Sequence, residues 1–355
     1  MKTYIRTIFI LILSIIFAAP SLFAQNKDLN LNRSKIKGAG IRTCTETYYD
    51  YAFGEPAKEG KRAFYTEYDK DGLVSSRTFY NKDGEFDYKM RYTYDPAGKT
   101  LSETRLNGSD EIDSLRRFKY EGKNLVEKSD LNADSTLRNK WQYEYDGNGN
   151  VIKETSFDSD GAVKSRIVYT FSPEIKLTKK VKYDSDGKPL EKFEYDYDNA
   201  GNLIAETQYD DEGAVVYKIK NTISDGGKSV ESIKYDPDGK VVEKISMKYE
   251  GKNLVEKIRY EDGDVIEADT YKYGGNGKLA ETAHYGKGKT LMLIKSFKYS
   301  PEGSVIEEIN DNKDEDTFAK YVFSYENNGS PKQRVTYDKM DEPVKLLKYD
   351  YEYNK

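Results

Sequence analysis

Apolar and polar residues alternate with a period of two along most of this chain. In the stretch from 202 to 209 the two faces of an extended strand would be Leu203, Ala205, Thr207 and Tyr209 on one side, and Ile204, Glu206 and Gln208 on the other. Such alternation, bounded by turn residues every 12 to 14 positions, is typical of antiparallel hairpins. No window shows the spacing of an amphipathic helix. The pattern predicts an all-β fold of about 22 to 24 strands.

A repeat of about 26 residues organises these strands. Its first marker is an aromatic or apolar residue that precedes a turn, found at Tyr68, Tyr94, Tyr120, Tyr145, Phe171, Tyr197, Ile223, Tyr249, Tyr273, Tyr299, Tyr325 and Tyr349. Its second marker follows 11 or 12 residues later, at Tyr80, Leu106, Leu131, Phe157, Tyr183, Tyr209, Tyr235, Tyr260, Tyr285, Asn310 and Tyr337. The array therefore predicts about eleven two-stranded units between residues 65 and 355.

The turns between strands share one chemistry. Asp stands at the first position and Gly at the fourth in segments such as 95–98, 184–187, 198–201 and 236–239. Asp at the start and Gly at the end are the residues that a type I turn followed by a bulge requires. Pro96 and Pro237 occupy the second position, where the fixed φ of proline fits.

Paired aromatic residues predict how the hairpins assemble. Many first markers have an aromatic partner two residues earlier, so that both rings share one face, as in Tyr195 and Tyr197. Lys and Glu are expected on the opposite face. Because strands twist relative to their neighbours, we expect a long meander coiled into a spiral or open shell, like a β-solenoid. A β-propeller is the alternative, although its blades need a longer repeat.

The repeat also resembles a known family. The segments 92–100, 143–151 and 195–203 each place Tyr-x-Tyr-Asp before a Gly-containing turn, and they are similar to the YD repeats of bacterial Rhs-type and teneurin-like proteins. The resemblance covers residues 65–355 and implies a spiralling sheet built from hairpins. What it implies for single residues is structural, since the Tyr-Asp pair and the Gly shape the turn. The unit is longer here than the usual YD repeat.

The segments before the array predict export. Lys2 and Arg6 precede an apolar run, and Pro20 to Ala24 supplies a break and a small residue, the pattern of a signal peptide at 1–24. We expect a periplasmic, cell-surface or secreted protein with no transmembrane segment after cleavage. Residues 25–64 are expected to form a flexible N-terminus and a capping hairpin. In the last strand, Lys345, Lys348 and Glu352 are expected to discourage edge pairing.

Composition narrows the class of partner. The 355 residues are 34% charged and only 37% hydrophobic, yet 13% are aromatic, with 32 Tyr, which is unlike a disordered chain. The net charge of −5 gives no reason to expect nucleic acid. One Cys and one His exclude an intrachain disulfide and a Cys/His zinc site. The expected partner is a protein or an envelope or extracellular polysaccharide, and no cofactor is expected.

Two kinds of binding residue are candidates. Aromatic residues outside the recurrent pairs, expected to be exposed platforms, are Trp141, Tyr88 and Tyr217, together with Tyr65 on the face opposite Tyr68. No metal site is expected, although clustered carboxylates in four Asp-x-Asp-Gly turns, among them Asp184 with Asp186 and Asp236 with Asp238, are of the kind that Ca²⁺ favours. Turn chemistry explains the same carboxylates without a metal.

No catalytic residue is predicted. Carboxylate pairs recur in every unit, whereas a catalytic pair should break the repeat. His284 is expected on the polar face of an ordinary strand, and Cys44 is expected to be a buried small residue. The leading hypothesis is a non-enzymatic exported repeat protein that binds a macromolecule on its extended sheet. A carbohydrate-binding module is the alternative, and a glycosidase is the least favoured.

Overall fold

The computed structural model describes residues 33–224 and 226–354 of the chain. The predicted signal peptide at 1–24 and the first part of the 25–64 segment lie outside the described residues. One short helix, α1 (Arg33–Ala39), precedes the sheet. The first strands are β1 (Ile41–Ala52), β2 (Glu55–Pro56), β3 (Lys61–Tyr68), β4 (Val74–Tyr80), β5 (Phe86–Tyr94), β6 (Thr100–Leu106), β7 (Ile112–Glu121) and β8 (Asn124–Asn132).

The middle strands are β9 (Leu137–Tyr145), β10 (Val151–Phe157), β11 (Val163–Phe171), β12 (Leu177–Tyr183), β13 (Pro189–Tyr197), β14 (Leu203–Tyr209), β15 (Val215–Ile223), β16 (Ser229–Tyr235) and β17 (Val241–Glu250). The last strands are β18 (Asn253–Glu261), β19 (Asp264–Tyr273), β20 (Leu279–Tyr285), β21 (Leu291–Tyr299), β22 (Val305–Asn312), β23 (Thr317–Tyr325), β24 (Pro331–Tyr337) and β25 (Pro343–Tyr353). A 3₁₀ turn (Lys287–Lys289) joins β20 to β21.

The meander closes on itself. Each strand pairs antiparallel with the next, and the last strand, β25, pairs with β1, with Tyr349 opposite Glu46 and Tyr351 opposite Cys44. Apart from the two-residue β2, 24 strands form one closed antiparallel barrel. The predicted all-β hairpin meander is confirmed, whereas the spiral or open shell and the propeller are wrong. The reason is that β25 is not left as an edge: Glu352 lies 2.8 Å from Arg42 of β1.

The turns form as the sequence predicts. In the turn after β5, the Gly98 amide donates to the Asp95 carbonyl and the Asp95 amide to the Lys99 carbonyl, both at 2.9 Å. The Asp95 carboxylate also accepts from the backbone amides of Ala97 and Lys99. Gly98 has φ 84°, in the left-handed region that favours glycine. The strand register shifts at Tyr94, so this hairpin carries a bulge beside its turn.

Hydroxyls of the first markers join one repeat to the one before it. Tyr94, Tyr145, Tyr197, Tyr299, Tyr325 and Tyr351 each donate to the backbone carbonyl 20 residues upstream, at 2.6 to 2.9 Å. By this criterion Tyr351, which donates to the carbonyl of Pro331, occupies the marker position of the last repeat, and Tyr349 does not. The last first marker predicted from the sequence, Tyr349, is therefore two residues too early.

The two faces of the sheet differ in composition. We call the face that carries the first-marker aromatics the aromatic face, and register assigns residues of neighbouring strands to it. Glu103 lies opposite Tyr92, Glu154 opposite Tyr143, and Glu206 opposite Tyr195. Residues opposite each other in an antiparallel pair point to the same side. The expectation that Lys and Glu would occupy the other face is therefore only half right, because the aromatic face carries charges too.

The best-packed region is the seam where β1 meets β25. Ile36 of α1 packs there against Ile41, Cys44, Leu347 and Tyr349, all nearly inaccessible to solvent. Elsewhere each strand contacts mainly its two neighbours, and most aromatic side chains are half-buried. Residues 25–64, expected to hold a capping hairpin, therefore contribute the strand that closes the sheet. Within the described residues, no helix is long and apolar enough to cross a membrane.

Candidate functional site

A ring of charged residues follows the aromatic face around the barrel. It consists of one residue from β1 and one from each even-numbered strand from β4 to β24, and nine of these twelve lie opposite an aromatic residue. The members are Glu46, Arg77, Glu103, Lys128, Glu154, Lys180, Glu206, Ser232, Lys257, Thr282, Glu308 and Arg334. We call this ring the charge belt. Its signs alternate without a break from Glu46 to Glu206, and again from Glu308 through Arg334 back to Glu46. The alternation is interrupted only at Ser232, Lys257 and Thr282.

The belt is most deeply buried at the seam. The Arg77 Nη2 atom lies 3.0 Å from the Glu46 Oε1 atom, with these side chains 14% and 2% exposed. The Arg77 guanidinium also stands 4.3 Å from the centre of the Phe64 ring. A carboxylate this inaccessible needs a cation at hydrogen-bonding distance to offset its lost hydration.

A second cluster joins β6, β7 and β8. Arg116 donates to Asp130 at 2.6 Å through Nε, and its Nη1 lies 3.6 Å from Glu103. Burial raises the pKa of Glu103 and, further along the belt, that of Glu154. Burial lowers the pKa of Lys128, which lies between them. In all three residues burial disfavours the charged form, whether that form is negative or positive. Each charged group of the belt therefore depends on its neighbours of opposite sign.

Trp141, the single tryptophan, borders this cluster. It lies on β9 opposite Lys128 of β8, whose ammonium stands 3.9 Å from the centre of the indole ring. On its other side it lies opposite Ser156 of β10, and Ser156 lies opposite Ser165 of β11. The two serine hydroxyls are 2.7 Å apart. The half-buried indole therefore has a lysine on the neighbouring strand β8, and short hydroxyl side chains on the strands that follow it, β10 and β11.

The other aromatic candidates have different surroundings. Tyr88 stacks on Phe79, with ring centres 4.2 Å apart, and Arg105 lies 4.4 Å from the Tyr88 ring. Tyr217 is only 8% exposed, so the expectation of an exposed platform is wrong there.

Tyr217 is buried because its neighbours enclose it. Its hydroxyl donates to Glu206 at 2.8 Å, and Lys234 stands 4.2 Å from its ring. Burial, together with that carboxylate, raises its pKa. Tyr65 lies on the face opposite Tyr68, as predicted, because it pairs with Thr45 and Thr78. The candidates lie on four separate strands, β3, β5, β9 and β15, and do not form one site. Whether any of them binds a ligand stays a prediction.

The calcium candidates lie at the rim formed by the turns after even-numbered strands. Asp184 accepts backbone hydrogen bonds from Asp186 at 3.0 Å and Lys188 at 2.8 Å, and Asp236 accepts one from Lys240. The leading carboxylates thus complete their own turns. The two pairs belong to separate turns, with that of residues 210–214 between them. Across residues 33–224 and 226–354, no three His, Cys, Asp or Glu side chains are grouped to hold a metal ion.

His284 lies where the belt is interrupted. Its Nδ1 atom is 2.8 Å from the Asp269 Oδ1 atom, and register places both on the aromatic face with Tyr271. The prediction that His284 points to the polar face is wrong, because charged and aromatic residues share this face. With the side chains 40% and 34% exposed, the pair is within reach of solvent.

Arg259, opposite Glu267, adds a further charge cluster beside this pair. The Arg259 Nη2 atom lies 2.8 Å from the Glu267 Oε1 atom, and the hydrogen bond from Arg259 lowers the pKa of Glu267. Cys44 is fully buried, as predicted, and burial raises the pKa of its thiol.

Sequence reasoning missed the charge belt. Its members recur at intervals of 25 or 26 residues from position 77 onward, nine or eight residues after each first marker. That alternation of sign was visible in the sequence. Glu46 could not be added to the belt before β1 was known to pair with β25.

Comparisons with known proteins leave the family open. No protein-family model matches the sequence, and no curated protein matches it. Among solved structures, the chain is similar to a TcdB2–TccC3 complex at 16% identity and a TM-score of 0.34, over 84% of this chain and 17% of that one. It is similar to a Photorhabdus luminescens Tc holotoxin pore at 16% identity and a TM-score of 0.32, over 81% and 15%.

A porin-like protein from Bacteroides uniformis is similar at 11% identity and a TM-score of 0.27, over 88% of this chain and 97% of that one. The chain spans less than a fifth of the length of the two Tc-toxin chains. At these TM-scores a common fold is not established, and the resemblance to YD repeats stays a prediction.

Proposed function

We propose that this chain is an exported, non-enzymatic repeat protein whose closed sheet presents an extended surface for a protein or an envelope polymer. The observation that carries the proposal is the aromatic face, where half-buried rings and charges of alternating sign repeat around the barrel. Such a surface offers many similar contacts rather than one cleft. The signal-peptide pattern at 1–24 supports export.

The charges on this face favour a binding role over catalysis. The carboxylates of Glu103 and Asp130 flank one guanidinium, that of Arg116, which lies 3.6 Å from the first and 2.6 Å from the second. A general acid paired with a carboxylate nucleophile needs access to substrate and different environments for the two groups. Here both are 7% exposed and bound to the same cation.

Hydrogen exchange of the mature chain tests this proposal. The purified protein would be mixed separately with an envelope polysaccharide fraction and an envelope protein fraction, and amide exchange would be followed strand by strand. We expect saturable protection across several consecutive hairpins with one of the two fractions, because a repeated surface engages neighbouring repeats together. Unchanged exchange in every strand with both fractions, at concentrations that saturate a weak binder, would contradict the proposal.

Carbohydrate binding is a second candidate function. The observation in its favour is Trp141, whose ring has a side bordered by Ser156 and Ser165 rather than by long side chains. Aromatic rings with nearby polar groups combine apolar contact and oriented hydrogen bonds. Titrating the protein with soluble oligosaccharides in a calorimeter tests it, and saturable heats are expected.

A further inference from the structure

The side chains around Trp141 leave a gap in an otherwise crowded row. Two residues beyond the charge belt, β1 and each even-numbered strand from β4 to β24 carry another side chain on the aromatic face. These are Tyr48, Phe79, Arg105, Asp130, Ser156, Lys182, Gln208, Lys234, Arg259, His284, Asn310 and Thr336. Ser156 is the smallest of the twelve, and it lies opposite the largest side chain of the chain, Trp141.

The gap continues onto the next strand. Ser165, on β11, lies opposite Ser156, and their hydroxyls are 2.7 Å apart. Lys128 stands over one flat side of the indole, and on the β10 side of Trp141 the directly opposite residue is Ser156. A flat ring bordered by two short side chains makes a shallow notch. We call Trp141, Ser156 and Ser165 the tryptophan notch.

We propose that the tryptophan notch binds one neutral pyranose ring of an oligosaccharide, a proposal that rests on the carbohydrate-binding candidate above. The apolar face of the sugar would lie on the flat side of the indole away from Lys128. The serine hydroxyls, which both donate and accept, would exchange their mutual bond for bonds to sugar hydroxyls. Asn139, on the aromatic face opposite Asp130, adds an amide with the same dual capacity.

The charges around the notch favour a neutral ligand. Lys128 stands over the indole, and the nearest acidic groups on the aromatic face are Glu154 of the belt and Asp130, which is bound by Arg116. A ligand with a carboxylate or phosphate would meet these two carboxylates, whereas a ligand with an ammonium would meet Lys128. A polyhydroxylated neutral ring avoids both penalties and keeps the stacking area.

The notch can be closed without touching the belt. Ser165→Leu fills it from the β11 side, and Ser156→Leu fills its floor. Ser114→Leu is the matched control, since Ser114 occupies the position of Ser165 two repeats earlier and lies opposite Arg105 instead of a serine. Circular dichroism and thermal unfolding would confirm that each variant folds, and Ser165→Leu carries the test if Ser156→Leu does not fold.

The experiment uses the mature chain and neutral gluco- and manno-oligosaccharides of three to six units. Trp141 is the only tryptophan, so its emission reports on the notch directly, and calorimetry reports on binding anywhere. We expect a saturable emission change whose midpoint matches the calorimetric one. Ser165→Leu should weaken binding at least about tenfold, and Ser114→Leu by less than about twofold.

Two outcomes would overturn the proposal in different ways. If calorimetry detects saturable binding while the emission is constant and Ser165→Leu behaves as Ser114→Leu, the sugar binds elsewhere: the notch fails and the carbohydrate-binding function stands. If no oligosaccharide gives saturable heats with the wild-type chain, both the notch and the carbohydrate-binding candidate fail. The hydrogen-exchange experiment with the protein fraction would then decide the leading function separately.

Discussion

The seam of the barrel and the repeating wall are held together in different ways. At the seam, Ile41, Cys44 and Leu347 are at most 1% exposed, and α1 covers them through Ile36. In the wall most aromatic side chains stay half-buried, and tyrosine hydroxyls bind the preceding repeat.

The difference follows from sequence separation. Wall contacts join strands that follow one another along the chain, whereas Arg42 and Glu352 at the seam are 310 positions apart. Closing so long a segment costs conformational entropy that a neighbouring pair does not lose. We infer that the seam needs a buried apolar cluster because the pairing of β1 with β25 has no local turn to support it.

The largest effect is expected from removing the cation that Glu46 depends on. Arg77→Met removes the guanidinium that lies 3.0 Å from a carboxylate that is 2% exposed, and the free energy of unfolding should fall by about 3–5 kcal/mol. Arg91→Met is the control, because Arg91 and Asp110 are 3.6 Å apart with more than half of each side chain exposed, and about 1 kcal/mol or less is expected. Chemical denaturation measures both. Equal losses would contradict the difference between seam and wall.

The helix provides the next largest test. Ile36→Ala removes a side chain that is 3% exposed and should cost about 2–3 kcal/mol. Ile112→Ala, at a wall position that is 46% exposed, should cost only about 1 kcal/mol, because about half of the side chain is already in contact with water. If thermal unfolding shows the same small shift for both, α1 does not stabilise the seam.

The same comparison explains what the sequence could predict. Hairpins, turns and repeat length depend on residues close together in the sequence, so residues such as Asp95 and Gly98 were enough to predict them. Closure of the sheet could not be predicted in this way, because it depends on the pairing of β1 with β25. In the sequence, Lys348 and Glu352 look like charges that protect a free edge, whereas in the structure they lie opposite Thr47 and Thr43 of β1. Nothing in the 26-residue period says whether the sheet spirals or returns to its start.

The candidate binding residues also differ in how far the sequence could predict their surroundings. Trp141 stood out because it is the only tryptophan, and the structure gives it an asymmetric environment. Tyr217 looked similar in sequence but is enclosed by Glu206 and Lys234, which lie on neighbouring strands. Burial depends on which residues lie opposite one another, and bulges at nearly every hairpin shift that register by one residue.

Within the wall, backbone strain should change stability by about 1–2 kcal/mol. Ile175 has φ 63° at the turn position that glycine holds in other repeats, and left-handed backbone is unfavourable for a β-branched residue. Ile175→Gly should therefore raise the free energy of unfolding, and Gly201→Ala, at the same position one repeat later with φ 80°, should lower it. Denaturant midpoints measure both, and changes of the same sign would be inconsistent with this account.

The tyrosine hydroxyls should contribute somewhat less each. Tyr197→Phe deletes the 2.9 Å bond to the Leu177 carbonyl and should cost about 1 kcal/mol. Tyr183→Phe is a suitable control, since no hydrogen bond of its hydroxyl is found within residues 33–224 and 226–354. The prediction fails if the two variants unfold at the same denaturant concentration.

The smallest effect is a difference in pH dependence between a carboxylate beside the seam and one in the wall. The Ser76 hydroxyl, donating to Glu67 of β3, lowers the pKa of that carboxyl below its ordinary 4.5, so its contribution to stability is present above that value and is lost as pH falls through the folded-state pKa. Burial raises the pKa of Glu103 in β6, so its contribution is full below 4.5 and is lost as pH rises through the folded-state pKa.

Glu67→Gln and Glu103→Gln should therefore change the pH profile of stability in opposite directions. As pH rises from about 4.5 to about 7, the free energy of unfolding of Glu103→Gln should rise relative to the wild-type chain. As pH rises from about 2.5 to about 4.5, that of Glu67→Gln should fall relative to the wild-type chain. In Glu103→Gln, Arg116 keeps Asp130 as its partner, so the variant does not leave a newly unpaired cation. Parallel denaturation curves at four or five pH values measure the two slopes. Slopes of the same sign would show that the wall does not oppose charge on Glu103 through burial.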